Sequence, residues 1–128
     1  MSVLKIKVKR HGKNTKKWLE DVSEIDFHSA LITYAEKGVN ALRKATPVDS
    51  GLTARSWYYE IEQKDAEHYI IRWLNSNVNR GINIALLIQM GHGTGTGGWV
   101  EGRDYINPAM QPLFDELANK LWAEVTEE

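Results

Sequence analysis

Five glycines in the eight residues Gly91-His92-Gly93-Thr94-Gly95-Thr96-Gly97-Gly98 are the first place to look for chemistry in this sequence. Glycine-rich backbone cradles phosphate when its N–H groups lead into a helix N-terminus, and a P-loop also ends in Gly-Lys-Ser/Thr. This run ends in Gly97-Gly98-Trp99 without a lysine. Gly93 and Gly95 open a dinucleotide-type spacing, but it continues into Trp99-Val100-Glu101-Gly102, which has no helical pattern. The run therefore reads as a mobile loop that orders against a neighbour. Gly91, His92, Gly93, Trp99 and Val100 are its candidate interface residues, because aromatic anchors are enriched at protein contacts. The competing expectation is Trp99 tucked into its own core. The histidines His11, His28, His68 and His92 stand in no metal-binding spacing and read as surface or loop residues. Asp49-Ser50-Gly51 sets a hydroxyl beside a carboxylate, but the nucleophile-elbow pattern is missing. With Pro47 the three read as a structural turn, in which Asp49 accepts local N–H bonds and Gly51 takes a conformation other residues resist. The carboxylates Glu60, Glu62, Glu101, Asp104, Asp115 and Glu116 read as solvated. No catalytic residue, metal ligand or cofactor is assigned, so a non-enzyme is expected.

The elements that would carry these residues follow from periodicity. Leu4, Ile6 and Val8 alternate with Lys5, Lys7 and Lys9, which is a half-buried strand over 3–10. Gly12-Lys13-Asn14-Thr15 breaks it, and Trp18 and Leu19 suit a short helical turn. Asp26 is placed to cap a helix whose apolar face is Phe27, Leu31, Tyr34, Ala35, Gly38, Leu42 and Ala45. Gly38 costs that helix ~1 kcal/mol relative to alanine, which close approach of another backbone would justify. Pro47 ends it. Trp57–Gln63 and Tyr69–Leu74 alternate as two strands of an antiparallel hairpin. Asn75 to Gly81 is a polar loop, and Ile82 to Met90 suits either a short buried helix or a strand. Asn107-Pro108 opens a last helix with apolar face Met110, Leu113, Phe114, Leu117, Leu121, Trp122 and Val125. The fold expected is α+β: a small antiparallel sheet packed against a long central helix and a C-terminal helix. Trp57, Tyr59, Ile71, Trp73, Leu31, Leu117 and Leu121 should be buried in it.

A chain of 128 residues suits one domain, 1–128. No apolar run approaches the ~20 residues of a membrane span, and no secretion signal or membrane partner is expected. Cysteine is absent, which excludes disulfides and thiolate sites. Net charge is −1, yet seven of the sixteen basic residues fall in the first 17 positions, whereas Glu124, Glu127 and Glu128 close the chain. Lys5, Lys7, Lys9 and Arg10 are thus candidates for an ionic contact with DNA or an acidic partner. The plainer expectation is an edge strand whose lysines discourage pairing with other chains.

Three stretches carry a family resemblance. Ala45-Thr46-Pro47-Val48-Asp49-Ser50-Gly51-Leu52-Thr53-Ala54-Arg55-Ser56-Trp57 resembles the A-P-V-D-T-G-x-L-R-x-S-[IW] segment of the HK-ninety-seven gene product ten family of phage tail-component proteins. Ile84 to Thr94 is similar to that family's Y-A-x-x-V-E-F-G-T element, with Gln89 in place of Glu. Asp104-Tyr105-Ile106-Asn107-Pro108-Ala109-Met110 is similar to its P-F-L-x-P-A-[LM] element. Ser50 replaces the usual Thr, and the family's arginine has no certain counterpart in Leu52-Thr53-Ala54-Arg55. The three lie in the family's order across roughly residues 27 to 125.

The resemblance implies a structural virion protein of a tailed bacteriophage or prophage, acting in tail completion or head–tail joining. Its partners would be copies of itself in a homo-oligomeric ring and other neck or tail proteins. It would reside in the virion and, during assembly, in the bacterial host cytoplasm. The alternative is a small nucleic-acid-binding α+β domain that uses the basic strand and the aromatic strands. Steep salt dependence would mark DNA binding, and concentration-dependent rings would mark assembly.

Overall fold

The computed structural model describes residues 3–10, 24–47, 51–93, 96–120 and 123–127. Along the chain these form β1 (Leu4–Arg10), α1 (Glu24–Ala45), α2 (Leu52–Arg55), β2 (Trp57–Gln63), β3 (His68–Asn75), β4 (Val78–Asn79) and β5 (Ile82–Asn83). There follow α3 (Ile84–Met90), β6 (Gly91–Gly93), β7 (Trp99–Glu101), α4 (Ile106–Lys120) and β8 (Ala123–Glu127). The class is α+β. One antiparallel sheet has the order β2-β3-β1-β8, and α1 and α4 cover one of its faces.

Period-two alternation creates that face. Ile6 and Val8 of β1, Trp57 of β2 and Tyr69, Ile71 and Trp73 of β3 are buried against Phe27, Leu31, Ala35 and Leu42 of α1. Met110, Leu113, Phe114 and Leu117 of α4 complete the core. Each such aliphatic side chain contributes about 1.5–3 kcal/mol on leaving water. Tyr59 and Ile61, on the edge strand β2, are only partly buried. The sheet ties to the helices at both tryptophans. Trp73 Nε1 donates to the Ala35 carbonyl at 3.0 Å, and Trp57 Nε1 donates to Thr46 Oγ1 at 2.9 Å. Between the helices, Glu116 accepts from the Tyr34 hydroxyl at 3.2 Å and pairs with Lys37 at 3.4 Å. Glu116 is therefore a bridging group and not a merely solvated charge.

Several sequence expectations change. β1 is an inner strand, flanked by β3 and β8, so its lysines do not guard an edge. The strand that covers it is the C-terminal one, in place of a helix continuing to the end of the apolar pattern. Val125 lies in β8, paired with Val8, and not on a helix face. The β-branched pair Val125-Thr126 within Ala-Glu-Val-Thr-Glu favours a strand, and the helical spacing to Val125 masks it. Helix α1 begins at Glu24, so Asp26 lies within it and not before it. Helix α4 begins at Ile106, with Pro108 still in the first turn, where its missing N–H is harmless. Gly38 is matched to a side chain and not to a backbone: a Cβ there would stand 2.5 Å from Trp73 Nε1. The polar loop after β3 holds the small hairpin β4–β5. Its two turn residues, Arg80 and Gly81, have φ of 53° and 78°, as a two-residue hairpin turn requires. The expected turn at Gly12–Thr15, the packing of Trp18 and Leu19, and the burial of Leu121 and Trp122 lie outside the described residues.

Candidate functional site

The second and third resembling stretches meet in space. Asn83 caps α3 by accepting from the Ala85 and Leu86 N–H groups at 3.1 and 3.4 Å, which turns an ambiguous apolar run into a short helix. One turn on, Tyr105 donates its hydroxyl to the Ala85 carbonyl at 2.8 Å. Burial pushes that phenol well above its usual pKa. At the end of α3, Gln89 Oε1 accepts from the backbone N–H groups of Tyr105 (3.0 Å) and Ile106 (3.1 Å), the first donors of α4. Gln89 Nε2 donates to Asp104 Oδ1 at 2.6 Å. One amide thus satisfies two otherwise orphaned donors and one carboxylate.

From this junction the glycine-rich stretch leaves as a two-stranded arm. Gly91, His92 and Gly93 pair with Glu101, Val100 and Trp99. Of the stretch expected to be a loop, Gly91–Gly93 is therefore strand, whereas Thr96, Gly97 and Gly98 are not, and Thr94 and Gly95 lie outside the described residues. Two glycines make the base of the arm possible. Gly91 has φ +85°, and a Cβ on it would meet the Gly102 nitrogen and the Val100 oxygen at 2.6 Å each. A Cβ on Gly102 would meet the Gln89 oxygen at 2.6 Å. Arg103 then anchors the return strand by donating its N–H to the Ile88 carbonyl at 2.9 Å.

The arm displays apolar surface. Trp99 is 61% exposed, Val100 is exposed, and Met90 beside them is 71% exposed. Trp99 therefore lies outside the core, against the competing expectation. At the other end of α3, the hairpin β4–β5 also exposes Val78 and Ile82. His92 is half-buried, and its Nδ1 is buried without a hydrogen-bond partner among the described residues. Of these exposed apolar residues, the sequence points to Trp99 and Val100 but not to Met90, Val78 and Ile82, whose exposure depends on how α3 and the hairpin dock.

The first resembling stretch is structural in what is described. Pro47 follows the end of α1, and Thr46 is buried with its hydroxyl bonded to the Leu42 carbonyl. Gly51 has φ +81° just before α2, and Asp49 and Ser50 lie outside the described residues. Thr53 then holds the end of β3: its carbonyl accepts from Asn75 Nδ2 at 2.8 Å, and its hydroxyl accepts from Asn77 Nδ2 at 2.9 Å.

The basic strand does not act as a block. Lys5, Lys7 and Lys9 share the face away from the helices, whereas Arg10 turns to the other face, 5.7 Å over the Phe27 ring. Acids interleave with the lysines across the sheet: Lys5 aligns with Arg72 and then Glu60, and Lys9 aligns with Glu124 on β8. Glu62 is ion-paired to Arg72 at 2.8 Å and Lys64 at 3.0 Å. The Lys64 and Arg72 hydrogen bonds hold its carboxyl below the usual range, contrary to the expectation of ordinary solvated carboxylates. Among the described residues no group of three or more His, Asp or Glu could hold a metal ion, and no helix is long and apolar enough to cross a membrane. No family model, no curated protein and no solved structure matches the chain.

Proposed function

We propose that this chain is a structural virion protein of a tailed bacteriophage or prophage, acting in tail completion or head–tail joining through protein–protein assembly. Three stretches resemble one family of such proteins, and two of them converge in the fold at Gln89 and Tyr105. The observation that carries the reading is what this convergence frames: an arm with Trp99, Val100 and Met90 exposed together. Large apolar side chains exposed on one short arm suit a surface that another protein covers. Function then lies in that surface, and partners are copies of the chain and other neck or tail proteins.

The test is deletion of the gene in the bacterium that carries it, followed by induction and electron microscopy. Filled heads and separate or ragged tails are the expected outcome, restored by the gene supplied in trans. Normal joined particles, or no particles from an intact inducible prophage, would refute the proposal.

A further inference from the structure

At the β2–β3 turn, the sheet face away from the helices ends in an open cavity of about 500 Å³, lined by Lys7, Lys9, Lys64, Asp65, His68 and Ile70 among the described residues. We propose that this cavity binds a phosphate group, with the Lys7, Lys9 and Lys64 ammonium groups as counter-charges and the His68 ring, in its doubly protonated imidazolium form, as a further donor. The inference stands apart from the assembly role, since it rests on different residues.

Register brings the lysines to the turn, although Glu124 of β8 stands across from Lys9 on its other side. Lys7 stands across from Ile70 and Lys9 across from His68, so both basic residues border the turn that carries Lys64. Asp65 is an acid in the lining, and its carboxylate is already met. It accepts from the Glu67 and His68 backbone N–H groups at 2.9 Å each, and it holds His68 Nδ1 at 2.8 Å. That contact places a proton on Nδ1 and leaves Nε2 as the ring nitrogen turned from Asp65, where it donates to a phosphate only as the imidazolium. Lys64 shares its ammonium with Glu62.

The residue types select the ligand. A carboxylate is best matched by the fork of a guanidinium, but the arginine on this face of β3, Arg72, is engaged by Glu62. Ammonium groups are compact point charges and suit a phosphate with several oxygens to share. The aromatic residue of the lining, Tyr69, is 1% exposed and offers no platform for a nucleobase. Recognition therefore stops at the phosphate. That phosphate could belong to a small molecule or to a duplex backbone, and the two probes below separate these sources.

Inorganic phosphate titrated into the isotopically labelled full chain should shift the His68 ring and the amides of residues 7–9 and 64–70 saturably. The double variant Lys7→Ala/Lys9→Ala should weaken that binding by ~10-fold or more, as removal of charge-assisted hydrogen bonds requires. Lys44→Ala, at an exposed position on α1, should leave it unchanged. A duplex oligonucleotide of arbitrary sequence should bind with a salt slope that drops, in the double variant, by roughly one unit for each lysine–phosphate pairing removed. Phosphate binding without duplex binding assigns the cavity to a small phosphate-bearing ligand, and both together assign it to a nucleic-acid backbone. If the double variant does not fold, Lys64→Ala replaces it with the same expected weakening. No His68 shift with either probe, or unchanged affinity in the lysine variants, overturns the proposal.

Discussion

The side-chain oxygen of Gln89 closes the N-terminus of a helix that begins 17 residues later, at 3.1 Å from the Ile106 N–H. Helices usually draw this cap from the residue just before them. Here it comes from the end of α3, so α3, the arm and α4 are held in one arrangement by a single amide. Gln89→Ala should cost about 1–2 kcal/mol, in the range of a lost cap, with exchange protection falling first at Tyr105 and Ile106. Gln89→Glu keeps the acceptor and gains from the helix dipole, but it sets a carboxylate against Asp104. It should therefore destabilise alone and recover with Asp104→Asn. Denaturant unfolding of the four proteins of that cycle measures the coupling, and additive effects would show that Gln89 and Asp104 do not interact.

Gly38 and Trp73 form a second matched pair. Alanine at 38 gains about 1 kcal/mol of helix propensity. Its Cβ must also push the indole aside, at 2.5 Å from Nε1, and strain the bond to the Ala35 carbonyl. Overpacking costs about 1–3 kcal/mol and a strained buried hydrogen bond adds to it, so Gly38→Ala should be net destabilising. Combined with Trp73→Phe, which removes the clashing atoms, it should cost much less than the sum of the single changes. Equal or better stability of Gly38→Ala alone would contradict the packing.

These two pairs show what is legible in the sequence and what is not. The helix face from Phe27 to Leu42 and the alternation in β1, β2 and β3 are readable, because burial repeats with the period of the element. Gly38 is recognisable as a cost to the helix, but its partner lies 35 residues away and nothing local names it. Gln89 reads as a departure from a family pattern, and its role becomes visible only once α4 is placed. The β8 strand is hidden for a sharper reason. Val125 satisfies both a helical spacing after Leu121 and Trp122 and a two-residue alternation with Ala123, and only pairing with β1 decides between them. The exposed arm residues are half legible, since glycine density marks an irregular segment but not the strand pairing that Gly91 and Gly102 permit.

That pairing is itself testable. Gly102→Ala keeps an ordinary side chain but drives a Cβ into the Gln89 carbonyl, so the arm base must open. Gly91→Ala adds the cost of a positive φ, of order 1–3 kcal/mol if the backbone cannot relax. Both should abolish the cross-strand proximity of His92 and Val100 seen by nuclear Overhauser spectroscopy, while that of β2 and β3 persists. Gly97→Ala, at a position with no atom within 4 Å of its Cβ, should disturb only the tip.

Acid should weaken the turn side of the sheet. Glu62 is held below its usual pKa first by Lys64 and then by Arg72, and Asp65 first by the Glu67 N–H and then by the His68 side chain. A carboxyl depressed in the fold stabilises it above the unfolded pKa and loses that contribution as pH falls through the folded value. The thermal midpoint should therefore fall on acidification, and Glu62→Gln should flatten that limb while changing little once Glu62 is protonated. Because both groups are exposed, the effect should be modest and should shrink in high salt. An identical acid limb in Glu62→Gln would rule Glu62 out as its source.

Trp99 separates folding from assembly. At 61% exposure its ring contributes little to the core, so Trp99→Ala should move the stability of the isolated chain by within about 0.5 kcal/mol. In the proposed assembly the same ring would be covered by a neighbour, and aromatic residues at the centre of an interface commonly account for a large share of its affinity. Trp99→Ala, and more strongly Trp99→Ala with Met90→Ser, should abolish joined particles and any ring seen by sedimentation, with the monomer fold intact by circular dichroism. Val78→Ser on the β4–β5 hairpin before α3 reports how far the covered surface extends: failed assembly includes β4–β5, and full assembly excludes them. Wild-type particle yield from the Trp99→Ala, Met90→Ser protein would remove the arm from the interface and leave its exposed tryptophan without the role assigned to it.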